Sequence, residues 1–145
     1  SRGHTATRME VKPSIGNNIL FRAFYIHQNT FYADSVRVPW WGESQVYEGS
    51  SIPALETDAY RATLDPVHQR DLDRFAYFSN GFLVKDPGRP GVIGDFRYAM
   101  VPNAINPMWG IDVGNGEPGK HLDFKHFRDT SKERQSVFMD QLWGR

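Results

Sequence analysis

Cysteine is absent from all 145 residues, which excludes a disulfide framework, a thiolate zinc site and a thiol nucleophile while leaving the redox compartment open. A charge excess is missing as well. With 17 Lys+Arg against 17 Asp+Glu and a pI near 6.9, the chain has no global field to draw it onto nucleic acid or an anionic membrane, and no nucleic-acid partner is expected. Long apolar runs are lacking too. A spanning helix needs about 20 mostly apolar residues, whereas the best stretch, Ile19 to Ile26, is interrupted by Arg22 and followed by His27, Gln28 and Asn29. No Met opens the chain and no signal-type apolar segment follows, so we read the sequence as a piece of a longer protein.

What is present suits one globular domain. At 39% hydrophobic and 14% aromatic residues, a chain of this length buries about 68–70% of its unfolded surface, enough for a core without metal or disulfides. Ser1 to Arg8 reads as a polar linker or juxtamembrane arm, and residues 9–145 as a single domain. Met9-Glu10-Val11 suggests a short strand. Ile19 to His27 and Thr30 to Val38, rich in Phe, Tyr, Ile and Val around Gln28-Asn29, form a hairpin pattern. After Pro39-Trp40-Trp41-Gly42 a loop is expected to about Ser51. Leu55, Ala59 and Ala62 recur at helical spacing after Pro53. Asp65-Pro66 then marks a helix start whose apolar face, Leu72, Phe75 and Ala76, runs to the Asn80-Gly81 stop.

Phe82-Leu83-Val84 and Val92 to Val101 predict a second hairpin, the latter alternating Phe96, Tyr98 and Met100 with Asp95, Arg97 and Ala99. Met108 to Val113 and the Leu122/Phe124/His126 alternation add strands. Thr130-Ser131-Lys132-Glu133 is a capping box before a helix carrying Val137, Phe138 and Leu142. The fold class expected is α+β, a mostly antiparallel sheet from two hairpins and further strands, packed with two or three helices.

Chemistry is thinly marked. Gly114-x-Gly116-x-x-Gly119 has dinucleotide-fingerprint spacing, but Pro118 removes an amide and a β-like pattern follows, so a Gly-rich turn is the better reading. His121, Asp123 and His126 are metal-ligand types, yet strand alternation sends them to opposite faces. His27 and His68 read as surface residues. No Ser-His-Asp order, nucleophile elbow, P-loop or HExxH occurs, and no catalytic or metal residue is assigned.

Two constellations remain. Asp95 and Arg97 share a strand face beside Tyr98, with Trp109 further along, and could bind a small anionic or polar ligand; a cross-strand ion-pair ladder is the favoured reading. Arg22, central in an apolar strand, raises the same question. Trp40-Trp41 should bury one ring and offer the other to a partner or a lipid interface.

The run Gly94-Asp95-Phe96-Arg97-Tyr98-Ala99-Met100-Val101-Pro102, followed by Pro107-Met108-Trp109-Gly110-Ile111, resembles the C-terminal region of bacterial inner-membrane-associated proteins classed as metal-dependent hydrolases, some linked to LexA. Val11-Lys12-Pro13-Ser14-Ile15-Gly16-Asn17, Phe31-Tyr32-Ala33-Asp34-Ser35-Val36-Arg37 and Phe78-Ser79-Asn80-Gly81 fall in matching order, so the resemblance spans roughly residues 8–113. It implies a soluble accessory domain of a membrane-bound hydrolase, concerned with substrate or partner contact rather than catalysis. The family's His and Asp metal ligands lie in its membrane region, and no matching motif occurs here. A divalent metal would therefore belong to the parent protein, with no cofactor in this segment. The membrane-spanning part of the same chain, or another protein, is the implied partner. Arg2 and Arg8 would place the domain on the cytoplasmic side of the inner membrane. The alternative is a stand-alone ligand binder or hydrolase, with Asp95 as base, Tyr98 as proton donor and Arg97 as anion clamp.

Overall fold

The computed structural model describes residues 2–128 and 131–145. Along the chain run β1 (Arg8–Pro13), β2 (Leu20–His27), β3 (Thr30–Arg37), β4 (Gln45–Tyr47), β5 (Ser51–Pro53), α1 (Thr57–Arg61), α2 (Pro66–Phe78), β6 (Leu83–Lys85), β7 (Val92–Asp95), β8 (Trp109–Asp112), β9 (Asp123–His126) and α3 (Lys132–Trp143). The fold is α+β, and its strands pair antiparallel in two separate sheets. Contacts fall into two compact units: Ser1–Pro53 with Ala99–Ile105 and Arg128–Arg145, and Ala54–Tyr98 with Asn106–Phe127. Among the described residues no helix is long and apolar enough to cross a membrane.

The first unit is built on the β2–β3 hairpin. Gln28 and Asn29 both take positive φ, 47° and 58°, the turn whose twist matches that of its strands. β1 joins the free side of β2, while β4 and β5 pair with opposite ends of β3. β4 lies inside the stretch that the sequence reads as loop and β5 begins at its end, three residues being too few to show a period.

Strand register sorts this sheet into two faces. One carries Leu20, Arg22, Phe24, Phe31, Ala33 and Ser35, all buried, each large apolar side chain contributing about 1.5–3 kcal/mol. Arg22 is accommodated because its Nη1 donates to the Pro102 and Ala104 carbonyls, at 2.5 and 2.7 Å, tying the 99–105 segment to β2. Ser131 caps α3, its hydroxyl accepting from the Arg134 N–H; Thr130, the other hydroxyl of the expected box, lies outside the described residues, as does Ser1 of the arm. In α3 Gln141 is buried while Val137 of the expected stripe is exposed. Gln141 donates to Asn103 Oδ1 at 3.0 Å. The other sheet face presents Met9, Val11, Phe21, Tyr25, Tyr32, Asp34, Val36 and Val46, largely apolar and partly open.

In the second unit α2 starts where expected: the Asp65 carboxylate accepts the Val67 and His68 N–H groups, and Pro66 opens the helix. Left-handed Asn80 and Gly81 end it. Leu72 and Phe75 pack on Leu83, Ile93 and Ile111 of the β6-β7-β8-β9 sheet.

Four local expectations need correction. Pro53 belongs to β5 rather than to a helix start, and α1 is only five residues long. The Thr57 and Thr63 hydroxyls bond the Leu55 and Tyr60 carbonyls there, competing with helix growth. His68 is buried, not a surface residue, at 5% exposure, with Nδ1 2.8 Å from Asp65 and Nε2 3.1 Å from the Glu117 carbonyl. His27 is half-buried beneath His4. Finally, the strand expected over 92–101 stops at Asp95. The Asp95 carboxylate accepts the Arg97 N–H at 3.0 Å, an Asx-type closure that turns the chain out of the ladder, so Asp95 and Phe96 are both buried instead of alternating.

Candidate functional site

Asp95, Arg97, Tyr98 and Trp109 do come together, in the second unit. Asp95 stands at the end of β7 and Trp109 begins β8. Arg97 Nε lies 3.0 Å from Oδ1 and Nη2 2.8 Å from Oδ2, while the Trp109 indole N–H donates to Oδ2 at 3.1 Å. Arg97 Nη2 also donates to the Phe78 carbonyl at 2.7 Å, and its guanidinium lies 5.3 Å from the centre of the Tyr98 ring. Tyr98 in turn packs on Trp109, ring centres 4.7 Å apart. The Asp95 side chain is 0% exposed. Both of its oxygens are engaged by donors of the chain itself, so this arrangement clamps a strand end, a turn and an indole together.

The other sequence candidates are dispersed. Both indoles of Trp40 and Trp41 are exposed, 76% and 89%. The expectation that one is buried fails because the last ladder bond is Val38 N–H to the Ile19 carbonyl, after which Pro39 and a left-handed Gly42 take the chain off the sheet. His121 pairs with Asp71 at 2.9 Å, and His126 packs edge-on against Phe124 and Trp109. His121, Asp123 and His126 do not converge, and among the described residues no group of three His, Asp or Glu is placed to hold a metal. The 114–119 glycines form turns followed by β9, with no helix N-terminus for a phosphate.

A constellation that the sequence did not reveal lies on the open face of the first unit. Residues 2–6, read as linker, cross that face. Arg2 Nη1 contacts Asp34 Oδ2 at 2.7 Å, and Nη2 donates to the Gly49 carbonyl at 3.0 Å. Its guanidinium carbon sits 5.6 Å from the centre of the Tyr32 ring, within cation–π range. Burial works against the Arg2 charge, but hydrogen bonds to Asp34 and Tyr25 more than offset it and raise its pKa above the usual arginine value. His4 Nδ1 lies 3.0 Å from the Tyr25 hydroxyl, and its ring stacks on His27 at 4.5 Å. Tyr25 and Tyr32 stack at 5.1 Å.

Beside this strap opens a cleft of about 590 Å³, lined by Arg2, His4, Met9, Tyr25, Asp34, Val46 and Glu48 among others, a size that holds a small molecule or a few peptide residues. Asp34 lies in register with Ala23 but shares its strand with Thr30, Ser35 and Arg37, so its carboxylate does not stand out in the sequence. Its partners, at positions 2 and 49, carry no local mark.

No family model matches the chain, and no curated protein or solved structure matches it.

Proposed function

We propose that this chain is an accessory contact domain of a bacterial inner-membrane-associated hydrolase-like protein, one that holds a partner or substrate and leaves the reaction to another part. The exposed Trp40–Trp41 pair carries this reading. Two adjacent indoles in water forgo a large apolar gain, and Trp is the residue type most enriched at interface hot spots. The partly open apolar face of the five-stranded sheet, with Met9, Val11 and Val46 exposed, adds a surface for the same purpose. The partner favoured is the membrane-spanning part of the same protein, as the family resemblance implies.

A photo-crosslinking residue in place of Trp41, in the protein expressed in its own bacterium, tests this. The expected adduct joins the indole patch to an integral membrane segment or a membrane-bound partner. Recovery of the protein in the aqueous fraction without any adduct would overturn the proposal.

A further inference from the structure

The Arg2 contacts have the makings of a receptor. Everything that holds the guanidinium belongs to the sheet and its loops: a carboxylate and an aromatic face on β3, a tyrosine hydroxyl on β2, and a carbonyl from the loop between β4 and β5. The guanidinium itself arrives on an arm ahead of β1. The receptor half is fixed independently of that arm. Gly49 N–H donates to Asp34 Oδ1 at 3.0 Å, which directs Oδ2 at the incoming cation. Gly49 is wedged so closely that a Cβ there would sit 2.2 Å from the carbonyl oxygens of both Ala33 and Asn103. Charge-assisted contacts from two guanidinium nitrogens fix orientation as well as strength, and the ring beneath adds an attraction that an ammonium fits less well. The cleft continues past Arg2 to the Glu48 carboxylate and the apolar flanks of Met9 and Val46.

We propose that this is a binding site for an arginine side chain in an extended peptide, filled in cis by Arg2 and open to a partner's arginine when the arm withdraws. The inference does not depend on the Trp40–Trp41 patch. Because a tethered arm competes at roughly millimolar effective concentration, the intact chain masks the site from weaker arginine peptides. A partner then either displaces the arm or waits for its release.

The probe is a dye-labelled hexapeptide Ser-Arg-Gly-His-Thr-Ala, titrated by fluorescence anisotropy into the full chain. Arg2→Ala, which empties the site, should bind it at least about tenfold more tightly than the unaltered chain. Adding Asp34→Asn to Arg2→Ala should abolish the gain, as should citrulline in place of the peptide's arginine. Equal affinity for the unaltered chain and Arg2→Ala, or binding indifferent to Asp34→Asn or to citrulline, overturns the proposal. Should Arg2→Ala fail to fold, the unaltered chain titrated with the same peptide gives a second reading through amide exchange at Thr7, whose N–H bonds the Ile26 carbonyl. Displacement of the arm speeds that exchange; no change up to millimolar peptide overturns the proposal.

Discussion

Each unit contains an Asp–Arg pair with nearly the same separation, 2.8 Å for Asp95–Arg97 and 2.7 Å for Asp34–Arg2, but the two pairs are wired differently. Arg97 comes from two residues away, and Trp109 and the Arg97 backbone complete the enclosure of Asp95. The side chains are 0% and 12% exposed, against 16% and 19% for Asp34 and Arg2. More telling is the route of the chain. Arg2 reaches Asp34 on a segment that lies outside every strand, beside an open cleft of about 590 Å³. A local, enclosed pair serves cohesion; a pair closed by a detachable arm can exchange its cation.

That contrast can be broken at either end. Asp95→Ala strands a nearly buried guanidinium and an indole donor, and should destabilise the protein by about 3–5 kcal/mol in urea denaturation; a cost below about 1 kcal/mol would put Asp95 in the exchangeable class. Gly49→Ala should cost about 1–3 kcal/mol by overpacking and should remove hexapeptide binding in the Arg2→Ala background. Retained binding would mean that the loop does not shape the site.

Acid sensitivity sharpens the cohesive side. The Lys125 ammonium and the Asn115 amide hold the Asp112 carboxyl below its ordinary range, so its contribution is present above about pH 4 and lost as pH falls through the lowered folded value. Asp112→Asn should be about 1–2 kcal/mol less stable at neutral pH, and should lose less between pH 5 and pH 2 than the unaltered chain. Some slope should remain, because Asp71 titrates in the same direction: burial pushes its pKa up, but the Leu122 N–H and His121 together lower it below the usual aspartate value. Parallel curves for the two proteins would refute the assignment. The smallest effect is expected from Trp40→Ala with Trp41→Ala. Exposed as they are, their loss should shift stability by within about 0.5 kcal/mol while weakening membrane-partner crosslinking; a larger loss of stability would make the pair part of the fold.

Legibility in the sequence followed the range of the interactions. The β2–β3 hairpin and α2 were readable because their signals are local: a two-residue turn between β-rich runs, and an Asp-Pro start with an Asn-Gly stop. β7 was overextended because alternation persisted in the letters after the Asp95 side chain had bent the backbone away. The closeness of Asp95, Arg97, Tyr98 and Trp109 was legible, but their saturation by one another was not, since it depends on where a turn places an indole. The arginine site was invisible for a different reason. It joins positions 2, 34 and 49, each unremarkable in its own neighbourhood, and its frame is a glycine backbone.

Arg22 gives the molecule a schedule. Its acceptors lie 80 and 82 residues further along the chain, so at a synthesis rate of about 5–20 residues per second the strand bearing it waits roughly 4–16 s for them to be made. Through that interval the first sheet carries a cation in the middle of its future core without the Pro102 and Ala104 carbonyls. The hairpin can form early, yet its buried face cannot close until the 99–105 segment has been translated. Slowing translation just before residue 99 should therefore prolong exposure of Leu20, Phe24 and Phe31, making that stretch of synthesis the time when a nascent chain most needs a chaperone.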